Sequence, residues 1–161
     1  MSASVDALIA RLSESERRLA EHAAQPLPAG LSDPDPGAEE RWEAGQIWAH
    51  LAEFPAYWLA QAQRVIAQPT HSPVPFGRVK TDAGRLEAIE RDRNTDRQAL
   101  LDRVRASLAE VTDAIRSWDD EAWQLRGMHP TRGEMSVEQI VETFIANHLE
   151  EHADQLDSLR R

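Results

Sequence analysis

The sequence predicts an all-α fold, a four-helix bundle, and three observations carry that expectation. Apolar residues recur at helical spacing in four long stretches, no stretch alternates apolar and polar residues as a half-buried strand does, and proline and glycine cluster between the stretches. A chain of 161 residues is expected to form one domain, 1–161, with a core that needs no covalent staples.

The first helix is expected from about Ser4 to Ala23, with Val5, Leu8, Ile9, Leu12 and Leu19 on one face. Pro26, Pro28, Gly30 and the run Asp33 to Gly37 end it, and the acidic stretch from Gln25 to Glu40 is the expected place for local disorder. The second helix is expected from Ala38 to Gln68, with Ile47, His50, Leu51, Phe54 and Trp58 inward and Pro55 as a kink. A single third helix is expected from Asp82 to Trp118, with Leu86, Ile89, Leu100, Val104, Leu108, Val111 and Ile115 on its stripe. The fourth begins at Ser136, where Ser136 and Gln139 fit a capping box. It continues through Val137, Ile140, Val141, Phe144, His148, His152, Leu156 and Leu159. Trp42, Trp48, Trp58, Trp118 and Trp123 read as core or helix-end packing. The connection from Pro69 to Thr81 exceeds the roughly 2–8 residues usual between bundle helices. It could run the length of the bundle and leave the second and third helices parallel.

Composition removes several functions. No cysteine is present, so disulfides, thiolate ligands and a protein thiol nucleophile are excluded. A net charge of −10 with no basic stripe argues against nucleic acid as a partner. No apolar run reaches the roughly 18 residues of a membrane span, and no signal-peptide pattern opens the chain, so the expected location is the cytoplasm. A homodimer is a reasonable expectation for a bundle, with no residue that argues for it.

Three histidines carry the chemistry. His148 and His152 stand at i and i+4, which stacks their rings on one helix face, and His50 occupies the apolar face of another helix. An HxxxH pair alone is weak, since many sit on solvent-facing helices. Here the pair continues an apolar stripe, and buried imidazoles need partners for both ring nitrogens, either a shared metal or hydrogen-bonding groups. Metal-linked nitrogens should then lie roughly 3–4 Å apart. A zincin motif is excluded because Leu149, not glutamate, follows His148. A di-iron carboxylate bundle is excluded because Ile145 and Leu149 stand three residues before the two histidines, where Glu-x-x-His requires glutamate. Glu151 flanks the stripe and could assist as a fourth ligand or an acceptor behind the ligands, or lie solvated at its edge. Arg93 and Arg97 fall on the stripe of the third helix when it is stepped from Leu86. They are candidate anchors for an anionic substrate group, or they reach outward to pair with acids.

The string Trp42 to Phe54 (WEAGQIWAHLAEF), the turn His129-Pro130-x-x-Gly133 and the stretch Ser136 to Leu156 with NHLEEHADQL resemble the DinB/YfiT superfamily of metal-binding four-helix bundles. The resemblance spans essentially the whole chain. It implies an up-down-down-up bundle and places the family's three metal-ligand histidines on His50, His148 and His152. Relatives in that superfamily include transferases using bacillithiol, mycothiol or glutathione, and a mycothiol-dependent isomerase.

The expected function is therefore a divalent-metal-dependent enzyme, with zinc, nickel or iron as the ion, that activates a low-molecular-weight thiol to attack a small electrophilic substrate. A metal-dependent hydrolase using the same site, and a non-catalytic metal-binding bundle, are the alternatives.

Overall fold

The computed structural model describes residues 2–34, 39–68 and 72–161. Four long helical arms enclose one apolar core built from Leu12, Leu19, Ile47, Trp48, Leu51, Phe54, Leu100, Val104, Ile115, Trp123, Ile140 and Leu156. The first arm is α1 (Ser2–Ala23) and the second α2 (Ala44–Ala67). α2 starts later than the sequence suggests. Ser32 and Trp42 exchange hydrogen bonds, Ser32 N to Trp42 O at 2.8 Å and Trp42 N to Ser32 Oγ at 3.0 Å, which keeps the chain before Ala44 out of the helix. Ser32 is thereby buried, so part of the stretch expected to be disordered is anchored; residues 35–38 lie outside the described residues.

The third arm differs from the single helix expected from Asp82 to Trp118. It is α3 (Ala83–Asp92) followed by α4 (Arg97–Ser117), with a break between them. Asp96 restarts the chain as an N-cap, its carboxylate accepting from Ala99 N at 3.1 Å. The break resets the helical phase, and on α3 it is Arg85, not Leu86, that turns inward: Leu86 is 44% exposed and Arg85 only 6%. A short α5 (Asp120–Gln124) follows.

A three-stranded sheet of β1 (Val74–Pro75), β2 (Arg126–His129) and β3 (Gly133–Ser136) was not anticipated, because strands of two to four residues are too short to show alternation. β1 pairs parallel to β2, with Val74 opposite Gly127, and β2 pairs antiparallel to β3, with His129 opposite Gly133. Gly127 is required by close approach. A Cβ there would meet Phe76, Val65 and the Val74 carbonyl at 2.6–2.9 Å.

The fourth arm starts at Ser136, whose side chain accepts from Gln139 N while Gln139 Oε1 accepts from Ser136 N, the capping box expected there. It consists of α6 (Val137–Val141), a π-helical turn (Glu142–Ala146) and α7 (Asn147–Leu159), with right-handed helical backbone at both junctions.

Contacts along the arms fix their directions. Arg11 pairs with Glu150 and His22 with Asp157, so α1 and α7 run the same way. Arg105 pairs with Glu16 and Arg97 reaches Gln25 O, so α4 runs opposite to α1. His50 meets His148 and Trp58 meets Phe144, so α2 opposes α7. The order is up-down-down-up, as expected from the long connection after α2. No helix of the described residues is long and apolar enough to cross a membrane.

Candidate metal centre

The second turn of α2 and the start of α7 bring His50, His148 and His152 together, with one potential ligand atom from each within 4.8 Å of the others. His50 Nε2 lies 3.1 Å from His148 Nε2. His50 and His152 are buried, and His148 keeps an edge open to a cleft of about 870 Å³. The π-helical turn explains that difference. Its wider turn buries Phe144, Ile145 and Ala146 in succession, which interrupts the uniform stripe expected from Val141 and leaves His148 at the margin of the core.

Two side chains fix how the rings present themselves. His50 Nδ1 lies 2.8 Å from Glu53 Oε1, an acceptor, so the His50 proton sits on Nδ1 and Nε2 carries its lone pair toward the cluster. His152 Nδ1 lies 2.6 Å from Gln155 Oε1 with the same consequence. Each partner stands three residues after its histidine. Burial first, and then the neighbouring imidazoles, hold His50 and His148 well below the ordinary histidine range, so both rings are neutral, the form that binds metal. Burial pushes the Glu53 carboxyl up, and Arg78, hydrogen-bonded to the same oxygen, opposes that shift and favours the carboxylate.

Aromatic rings close the cluster. Trp42 stacks on His152 at 5.9 Å and meets His50 edge-on at 5.1 Å, while Phe54 stacks on His148 at 4.1 Å. Trp42 and Trp58, expected only as packing, are thus also walls of the site. Lone pairs converging among apolar rings repel one another without a cation or proton between them, and three neutral imidazoles are the donor set of a divalent transition metal. The residues present fit such an ion.

Arg93 and Arg97 are not brought to this cleft. Arg93 pairs with Glu43 at 2.7 Å and Glu90 at 3.0 Å, and Arg97 donates to Gln25 O. Their inward placement depended on stepping from Leu86 through a continuous helix, and the break after Asp92 removes that premise. Glu151 is exposed and lines the cleft. The cleft's basic residues are Arg78, Lys80, Arg85 and Arg132, which come from the connection after α2, the start of α3 and the β2–β3 loop. Neither these nor Glu53 and Gln155 were singled out from sequence. For the latter pair the signal was present as His-x-x-Glu and His-x-x-Gln, read forward from each histidine.

The family model of the DinB superfamily matches residues 3–156. No curated protein matches the chain. Among solved structures, the fold is similar to YfiT from Bacillus subtilis, described as a probable metal-dependent hydrolase with an unusual four-helix bundle topology. The TM-score is 0.77 at 18% identity, covering 100% of this chain and 88% of that one. It is also similar to the mycothiol-dependent maleylpyruvate isomerase (TM-score 0.68, 15% identity) and to a histidine-to-alanine variant of that enzyme (0.68, 14%). In both, 94% of this chain covers 60% of the other, so the isomerase extends well beyond the shared bundle.

Proposed function

The chain belongs to the DinB superfamily, and on that footing we propose that it is a divalent-metal-dependent enzyme that uses a low-molecular-weight thiol as the nucleophile against a small electrophile. The observation that carries the reading is the convergence of His50, His148 and His152 with two of their tautomers set from behind by Glu53 and Gln155. A bound divalent ion, for which zinc, nickel and iron all suit three imidazoles, would supply Lewis acidity that lowers the pKa of a thiol or water beside it.

The chain's own groups supply the rest. Glu53 holds the His50 proton on the outer nitrogen, and Arg78 holds Glu53 in place. Trp42 and Phe54 limit water around the histidines, and the opening beside His148 gives a substrate its approach. A cleft of about 870 Å³ has space for a thiol cosubstrate as well as an electrophile, which favours the thiol over water alone. With no cysteine in the chain, the sulfur must come from a small molecule. Hydrolysis is the second reading, favoured by Glu151 at the cleft, where a carboxylate could take a proton from water.

The deciding experiment assays metal-loaded protein against a panel of electrophiles with and without small thiols. Turnover that requires both thiol and metal, and is lost in His50→Ala, is expected. Metal-dependent turnover without thiol would move the assignment to hydrolysis, and no turnover across the panel would favour a non-catalytic bundle.

A further inference from the structure

The cleft is lined by charges of both signs, Asp33, Glu151 and Asp154 beside Lys80, Arg78, Arg85 and Arg132, and the basic residues differ in what they are bound to. Arg78 and Arg85 are committed to the protein. Arg78 holds Glu53 and covers the Tyr57 ring at 3.9 Å, while Arg85 donates to Lys80 O at 2.7 Å and lies over Trp42. Arg132 is different. Its guanidinium has no hydrogen-bonding or ionic partner among the described residues, and it lies over the Phe144 ring, 5.2 Å from the centroid.

Arg132 is nonetheless placed with care. The amides of Thr131 and Arg132 both donate to His129 Nδ1 at 3.2 Å, which ties the β2–β3 loop to a buried ring. That ring stacks on Phe144 at 5.1 Å, and Phe144 stacks on Trp58 at 4.0 Å and 9°. The loop therefore holds an exposed guanidinium, without an ion-pair partner among the described residues, over the Phe144 ring at the cleft. Phe144 stands four residues before His148, about one turn along the fourth arm, so the part of the wall under Arg132 adjoins the histidine cluster.

We propose that Arg132 is the recognition residue for the carboxylate of a small organic acid, whose body lies along Phe144 and Trp58 with its reactive end toward the histidines. The inference deepens the function proposed above and rests on that use of the cleft. Guanidinium and carboxylate match bidentately, and the edges of the stacked Phe144 and Trp58 rings offer apolar contact to the body between the two ends. Recognition by a remote anchor is a binding contribution, so Arg132 is a specificity residue and takes no part in proton transfer.

Benzoate and its neutral isostere benzamide provide the test, read by quenching of tryptophan fluorescence from the cleft wall in zinc-loaded and in metal-free protein. The expected result is benzoate binding about tenfold tighter than benzamide in both forms. Arg132→Gln should abolish the difference, and Arg132→Lys should retain part of it. Equal affinities, absence of saturable benzoate binding, or a preference unchanged by Arg132→Gln would overturn the proposal. So would a preference confined to the zinc form, because the ion itself would then be taking the carboxylate. Failure of the metal reading is distinguishable: the protein would bind no zinc while the Arg132-dependent preference remained.

Discussion

Glu53 shows how much of a metal centre lies behind its ligands. Its carboxylate accepts from His50 and from Arg78, so one partly buried residue both sets an imidazole's tautomer and anchors a side chain of the cleft wall. Glu53→Gln keeps the size but replaces the charged acceptor shared by His50 Nδ1 and Arg78 with a neutral carbonyl, which weakens the hold on the ring. Zinc affinity should fall about 10–100-fold, measured by competition with a chromophoric chelator, while helical content is unchanged. Unaltered affinity would mean that His50 is oriented by packing alone. The histidines themselves were legible in the sequence because helical periodicity forces their direction. Their supports were not singled out, since a glutamate or glutamine three residues after a histidine is indistinguishable from an ordinary surface residue until the facing arm is in place.

Helical phase decides which residues reach the site. The break between α3 and α4 is stabilised from two sides. Gly45 at the start of α2 packs against the Arg93 carbonyl, which a Cβ would meet at 2.3 Å, and Asp92 is bound by Arg91 and Arg103. A backbone obstacle cannot rotate away, so Gly45→Ala should destabilise the fold by about 1–3 kcal/mol in urea denaturation. Asp92 links α3 to α4, and its hydrogen bonds from Arg91 and then Arg103 hold its carboxyl below the usual aspartate range. A lowered folded pKa contributes stability above the unfolded value near 3.8 and loses it as pH falls through the folded one. Both arginines are well exposed, so the deficit of Asp92→Asn should be about 0.2–1 kcal/mol. It should be equal at pH 7 and pH 5 and should shrink only below about pH 4, checked by denaturation of both proteins across that range. The same elements mark where sequence reading ends. Long apolar stripes announce the arms, but the Asn94-Thr95-Asp96 restart, the π-helical turn and strands of a few residues depend on contacts made across the fold.

At the scale of the whole molecule, the site is a by-product of topology. Because the arms run up-down-down-up, α2 opposes α7 and α4 runs beside α2, so His50 faces the α7 pair while the long connection after α2 is free to carry Arg78 and Lys80 over the cleft. The apolar core runs through all four arms, so the ion is not what holds them together. Metal-free protein should keep its helical circular dichroism, and added zinc should raise the melting temperature in a concentration-dependent way. The central claim is that three histidines form one metal site on a bundle that stands without it. Its most direct test is metal stoichiometry by equilibrium dialysis and elemental analysis on the protein and on His152→Ala. The account predicts one tightly held divalent ion per chain, lost in the variant while helical content is retained. No tightly held ion in the unaltered protein, or an ion held equally well by His152→Ala, would contradict it.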